Sequence, residues 1–410
     1  MNSAGENANM VLSGIRVIDC GQGAIVPLAT GYLADFGAEV IKVENYDAMD
    51  FSRRGDNAVD SKRDPDRNIT FARYNQNKLG VLLNLKHPKG VSLAKRLVAT
   101  ADIVAENLTV GTFERLGLGY EELRKVKPDI IMLSASFGGQ SGPYRDFRGQ
   151  GFVIHALQGL DDLTGWPDRG PVSPGGSFPD HYGPYLWVTV IMAALEHRRQ
   201  TGRGQFIDGS SFEACLDVLD TAVADYGVSG RVLTRRGNRH PAAAPHGAYR
   251  CRGEDRWCAV SVFTDEEWAA FRNVLGDVAW ASDERFSTLT GRLKHVDELD
   301  ALVEEWARGQ TAEEVMMKLQ GVGVAASVVE NIKDIYEDPQ LAHREHFWDP
   351  KEPGLEPFTF EAPPAKLSKT PARFQRRHPL LGEHSDYVYC ELLGLDSEEY
   401  ARLLDEGVIS

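Results

Sequence analysis

The chain has 410 residues, 42% hydrophobic and 26% charged, with a net charge of −15. That length supports a large core and two domains. The acidic balance offers nucleic acid and anionic membranes no electrostatic affinity, so neither is expected as a partner, and a polyanionic ligand must meet a local basic patch.

The opening MNSAGENANMV is polar and lacks an apolar leader region, and the apolar stretch Tyr185 to Leu195 is too short to span a bilayer, which takes about 20 residues. A cytoplasmic location is expected. Cys20, Cys215, Cys251, Cys258 and Cys390 are scattered without a C-x-x-C pair, so neither a zinc site nor a disulfide framework is expected.

IRVIDC (Ile15 to Cys20) predicts a strand, Pro27 to Phe36 a helix stopped by Gly37, and EVIKVE (Glu39 to Glu44) a second strand. Together they form a βαβ unit. Residues 45 to 70 are polar and arginine-rich and read as a surface excursion. VLLNL (Val81 to Leu85), DIVAEN (Asp102 to Asn107) and DIIMLSAS (Asp129 to Ser136) predict further strands, with helices at Pro88 to Thr100 and Tyr120 to Val126. This alternation predicts an α/β domain with a largely parallel sheet. A long helix precedes TGRGQ, QFIDGS predicts a strand, and Ser211 to about Tyr226 a helix. Residues 228–247 are rich in helix breakers and read as a linker. AYRCRGEDRWCAVSVF predicts a hairpin. Helices follow at Asp265 to Leu275, Val296 to Arg308 and Ala312 to Leu319, with a strand at Val324 to Val329. Residues 248–330 thus form a smaller α/β domain. A proline-rich tail from Asp349 ends in a helix near Ser397 to Leu404.

Gly21-Gln22-Gly23 after the first strand, with Glu44 ending the second, imitates a dinucleotide fingerprint, but Val26 occupies the third glycine position. A Rossmann-like fold is supported; nicotinamide binding is not. Phosphate loops, metal-binding helices and serine-hydrolase elbows are absent from the sequence. Asp180 stands at the leading edge of the long apolar helix. It reads either as a helix N-cap or as a reactive carboxylate. The helix dipole would hold it ionised in both cases, and Gly175, Gly176 and Gly183 would let a bulky substrate approach.

TGRGQFIDGSSFEA, after the helix end AALEHRRQ, resembles the TGxGQ-x-[VI]-D signature of class III CoA-transferases. That family includes formyl-CoA, carnitine and benzylsuccinate CoA-transferases. LSGIRVIDC, LADFGAEVIKVE, NKLGVLLNLKHPKG, ADIVAEN, ERLGLGYEELRKVKPDIIMLSAS, FGGQSGPY, VVENIKDIYEDPQLAHREHF and PLLGEHSDYV follow the family's order over nearly the whole chain. The resemblance implies a large Rossmann-like domain built from residues 10–227 and 331–410, a smaller domain, and an interlocked homodimer or an assembly with a second, non-identical subunit. It makes Asp180 the nucleophile that passes through an acyl anhydride and an aspartyl-CoA thioester. The CoA thioester is then a substrate, and no permanently bound cofactor, ATP or metal is needed. It places Ala24 and Ile25 at the thiol end of CoA, Leu83 to Lys86 near the adenosine, Asn107 in the AEN motif, and Arg115 on a phosphate. Asn45 replaces an arginine of formyl-CoA transferase, and Ala242 to Gly247 replaces its glycine-rich loop.

Two rivals share the resemblance. Alpha-methylacyl-CoA racemases pair the aspartate with a histidine, where this chain has Gln150; nearby His155 reads as helix packing. A non-catalytic subunit would lack the aspartate. His181 and His246 fall near the expected site and read as surface or cap residues. PHGAYRCRGEDRWCAVSVFTDEEW resembles the small domain of transferases for larger acids. It suggests succinyl-CoA as donor and a substituted or aromatic succinate as acceptor.

Overall fold

The computed structural model describes residues 10–54, 64–349 and 359–410. Its contacts divide the chain into two units. The larger comprises Met1–Asp161, Ser173–Val232 and His343–Ser410, the smaller Asp162–Val172 and Leu233–Ala342. The smaller unit therefore starts inside the stretch read as a linker, runs past residue 330, and takes in a segment assigned to the large domain. Two contacts tie that segment in: Arg235 donates to the Asp162 carboxylate at 2.8 Å, and the Gly237 N–H to the Gly165 carbonyl at 2.8 Å.

In the larger unit, six parallel strands follow the order β3-β2-β1-β4-β5-β6. They are β1 Arg16–Asp19, β2 Glu39–Glu44, β3 Leu79–Leu82, β4 Ile103–Glu106, β5 Ile131–Ser136 and β6 Phe206–Ser210. β1 to β5 are buried on both faces, which explains their near-continuous Val/Ile/Leu runs. β3 begins two residues before the predicted strand, because Ile41 pairs with Leu79 and Glu44 with Leu82. The helices are α1 Ile25–Asp35, α2 Ile69–Asn75, α3 Pro88–Ala99, α4 Thr112–Arg115, α5 Tyr120–Val126, α6 Gly151–Gln158, α7 Leu160–Leu163 and α8 Phe178–Thr201. α1 and α8 cover one face of the sheet through Leu33, Trp187 and Ile191. α3, α5 and the C-terminal Val388, Tyr389, Leu395 and Leu403 cover the other, and the Tyr389 hydroxyl donates to the Leu82 carbonyl at 2.7 Å.

The single helix expected from Ser211 is broken into α9 Ser211–Ala214, a 3-10 turn Leu216–Leu219 and α10 Asp220–Ser229. Cys215 and Leu219 are drawn into the core, whereas no residue of α10 is buried. The excursion after β2 is not all surface. Asp50, Ser52 and Arg53 are buried, and Arg53 pairs with Glu44 at 2.8 Å while lying over the Phe71 ring. Residues 55–63 of that excursion and 350–358 of the proline-rich tail lie outside the described residues.

In the smaller unit, the expected hairpin forms from β7 His246–Arg250 and β8 Trp257–Ser261, and β9 Ala325–Val328 adds antiparallel to β8. Helices Asp265–Leu275, Val296–Arg308 and Ala312–Gln320 pack their apolar stripes on it. Among the described residues, no helix is long and apolar enough to cross a membrane.

Candidate active site

The strand order reverses between β1 and β4. Loops leaving the carboxyl ends of those strands diverge, and such a switch point is where open parallel sheets bind ligands. A cavity of about 510 Å³ lies there, bordered by Gln22 to Ile25 after β1, Asn107 to Val110 after β4, Ser136 and Phe137 at the end of β5, and Asp180. Asn107 joins two of these loops. Its Oδ1 accepts from the Gln22 N–H at 2.7 Å, and its Nδ2 donates to the Gln22 carbonyl at 2.9 Å.

Beneath the β1 loop lies a fully buried set of charges. Asp19 accepts from Lys78 at 2.8 Å, Thr30 at 2.7 Å and the Gly21 N–H at 2.8 Å. Lys42 donates to the Gly21 carbonyl and, at 2.9 Å, to Asp50, which accepts from the Gly23 N–H at 2.9 Å. Burial alone would raise the Asp19 carboxyl, but Lys42 and Lys78 outweigh it and hold the group below its ordinary range. Asp50 is lowered in the same way, against burial, by Lys42 and by the Gly23 and Ser52 N–H groups. Burial pushes Lys78 down to about 8, against the pull of Asp19. The loop bordering the cavity is thus bolted to the sheet through its own backbone. Gly23 permits this: its φ is +68°, and a Cβ there would sit 2.0 Å from the Phe51 ring. The sequence did carry a signal, since Lys42 interrupts the apolar strand EVIKVE.

Asp180 is not the N-cap of α8. Ser177 holds that position, and Asp180 is the third helical residue, half-buried, its N–H donating to the Ser177 carbonyl at 3.1 Å. The Ser177 hydroxyl donates to Asp180 Oδ2. The first turn of a helix still favours an ionised carboxylate. Gly151, which opens α6, abuts this group: a Cβ there would lie 1.5 Å from Ser177 Oγ and 2.7 Å from Asp180 Oδ2. Gly151 is thus the glycine whose missing Cβ leaves room for Ser177 and Asp180. Of the glycines singled out in the sequence, Gly175 and Gly176 would meet nothing within 4 Å, and Gly183 makes only ordinary contacts. Burial raises the Tyr74 hydroxyl in the same cavity, and the Asp180 charge raises it further.

The cavity brings Asp180, Ala24, Ile25 and Asn107 together. The Leu83 side chain is buried in the core with Val81 and Leu97 and does not line the cavity. Lys86 and Arg115 are exposed beyond the carboxyl ends of β3 and β4, on the cavity's edge of the sheet but outside its lining. Arg115 donates to its own helix at Thr112 Oγ1, 2.9 Å away. Asn45 donates to the Ser410 carbonyl at 2.9 Å. His155 is buried beside Asp161, 2.7 Å away, and does not line the cavity. The exposed His181 ring lies 3.0 Å from the Ser177 carbonyl. His246 and Ala242 to Gly247 belong to the smaller unit, where the His246 ring sits 2.6 Å from the Asn238 carbonyl.

The sequence profile of CoA-transferase family III matches residues 12–385. The chain belongs to this family. Over 409 residues it is 34% identical to the succinyl-CoA–L-malate CoA-transferase beta subunit of Chloroflexus aurantiacus, covering 99% of this chain and 100% of that protein. It is 33% identical to the succinate–glutarate CoA-transferase of Agrobacterium fabrum, covering 94% and 96%. A crystal structure of a CaiB/BaiF family protein from Brucella suis superposes with a TM-score of 0.86 at 31% identity, covering 94% of this chain and all of that one. This family III chain is therefore a CoA-transferase enzyme.

Proposed function

We propose that the enzyme moves CoA from succinyl-CoA to a small free carboxylic acid through covalent intermediates on Asp180. The observation that carries this reading is one carboxylate, fixed by Ser177 and Gly151, bordering the cavity at the switch point. The Asp180 carboxylate attacks the thioester carbonyl, the C–S bond breaks, and CoA thiolate leaves an acyl-aspartyl anhydride. The thiolate then attacks the aspartyl carbonyl and expels the donor acid as its carboxylate. The acceptor carboxylate attacks the resulting aspartyl-CoA thioester, and the thiolate finally takes the acceptor acyl group and frees Asp180. Acyl activation is kept at every step, and the α6 and α8 N-termini favour the negative charge that develops. Ala24, Ile25 and Asn107 border the thioester end, with Lys86 and Arg115 beyond them for the phosphates.

L-malate is a hydroxysuccinate, and glutarate is likewise small, so the relatives' named substrates support a small dicarboxylic acid over an aromatic succinate. One relative is a beta subunit, which supports a second, non-identical subunit as the alternative to a homodimer. Racemisation needs a second base facing Asp180, but Gln150 borders the cavity and His155 does not. Asp180→Ala should lower acyl transfer by about 10⁴-fold or more. Its stability should stay within about 1 kcal/mol of wild type, since only a first-turn carboxylate is lost. A folded alanine variant with full activity would sink the proposal.

A further inference from the structure

We infer that the β5 side of the cavity, Ser136 and Arg148 with Arg145 beside them, binds the non-reacting carboxylate of a dicarboxylic acid. This rests on the transferase reading of Asp180. Among the described residues, three charged side chains border the cavity: Asp180, Arg145 and Arg148. Arg145 lies 3.7 Å from the carboxylate of its neighbour Asp146. Arg148, in contrast, has no ion pair or hydrogen bond among the described residues. On a chain of net charge −15, an unpaired cation that shares a cavity with the candidate nucleophile calls for an anionic ligand.

Ser136 makes the second, independent case. It ends β5, is only 7% exposed, borders the cavity, and its hydroxyl has no hydrogen-bond partner among the described residues. A buried polar group left unpaired is costly, so its partner is expected to arrive with the ligand. One hydroxyl donor and one guanidinium fork suit the two oxygens of a carboxylate. Arg148 also precedes by three residues the Gly151 that abuts Asp180. On this inference, an acid with one carboxyl at Asp180 carries its second carboxylate to Ser136 and Arg148, which border the same cavity. Succinate, malate and glutarate differ in length and hydroxylation, and that second carboxylate is what they share. A monocarboxylate leaves Ser136 and Arg148 unpaired.

Arg148 is exposed and the Ser136 hydroxyl supports no protein partner, so Arg148→Gln and Ser136→Ala should leave the melting temperature unchanged. Glutarate and butyrate serve as acceptors, and succinyl-CoA and butyryl-CoA as donors. In Arg148→Gln the kcat/KM preference for the dicarboxylic over the monocarboxylic member should fall by about ten- to a hundredfold, on both donor and acceptor sides. It should fall by roughly fivefold in Ser136→Ala, and Arg148→Lys should restore part of it. An unchanged preference would overturn the subsite. So would a parallel rise in KM for both acyl-CoAs, which would place Arg148 on the CoA phosphates. Calorimetry of glutarate against CoA-free protein separates this inference from the transferase reading, because it needs no turnover. Wild type should bind glutarate more tightly than butyrate, and Arg148→Gln should lose that difference. No difference in wild type would overturn the subsite even if Asp180 proves covalent, whereas selective glutarate binding without transfer would leave the subsite standing and sink the transferase reading alone.

Discussion

Lys42 shows how a single buried charge shapes the cavity. It satisfies Asp50 and the Gly21 carbonyl at once, and Asp50 in turn holds the Gly23 N–H. Removing one partner of a buried ion pair strands the other, which costs about 3–5 kcal/mol. Lys42→Met should show that loss in urea unfolding, and adding Asp50→Asn should recover part of it, because the amide still accepts from Gly23 without a stranded charge. Equal, additive losses would mean that the two groups act independently. Glu106 gives a pH test. Burial pushes its carboxyl up to about 7, although the Ser134 hydroxyl and the Leu108 N–H pull it back. A folded-state value above the unfolded one means the folded protein holds the extra proton. Stability from this group is therefore full below about pH 4.5 and lost as pH rises through 7, by about 3 kcal/mol. Glu106→Gln cannot lose a proton, so its stability relative to wild type should climb over that window. A constant difference from pH 4.5 to 8 would contradict the assignment.

At the scale of elements, α8 carries Asp180 and also a defect. Pro184 stands inside the helix and lacks the N–H that would close on the Asp180 carbonyl one turn back. Proline in a helix interior costs about 3 kcal/mol, so Pro184→Ala should raise the melting temperature. Restoring that bond also re-aims the first turn, and kcat should fall several-fold with stability gained. A variant both more stable and fully active would show that Pro184 has no part in placing the carboxylate. Elements of this kind were partly legible in the sequence. EVIKVE and the three later apolar runs announced the parallel sheet, because strands buried on both faces are predominantly apolar. The apolar stretch before TGRGQ likewise announced α8. Residues Ser211 to Tyr226 were read as one helix, and no local signal shows that the chain breaks around Cys215 and Leu219, whose side chains enter the core. The catalytic candidate was legible through its place before TGRGQ. Gly151 and Ser177 beside it, and Asp50 under the β1 loop, were not, since each matters only for what the fold brings beside it; Lys42 alone stood out, as a charge inside an apolar strand. The burial of Leu83 was not legible for the same reason: a strand's neighbours decide which of its side chains turn into the core.

For the whole molecule, α10 has no buried residue, yet Val223, Tyr226 and Val228 are exposed along it, Val228 at 92%. Apolar side chains on a helix that buries nothing call for cover by another chain. We propose a dimer in which the two chains interlock, or a heteromer of like architecture. Interlocked chains separate only through unfolding, so light scattering should show twice the chain mass well below micromolar concentration. Tyr226→Asp should lower the yield of dimer. A stable single-chain mass would exclude the interlock.

The central claim is a covalent Asp180, and trapping tests it most directly. The enzyme is incubated with succinyl-CoA and hydroxylamine, without acceptor acid, digested and mapped by mass spectrometry. Hydroxylamine attacks an aspartyl anhydride or thioester and leaves a hydroxamate. The account predicts that hydroxamate on Asp180, dependent on succinyl-CoA and absent from Asp180→Asn. Turnover with an unmodified Asp180, or a hydroxamate on another carboxylate, would contradict it.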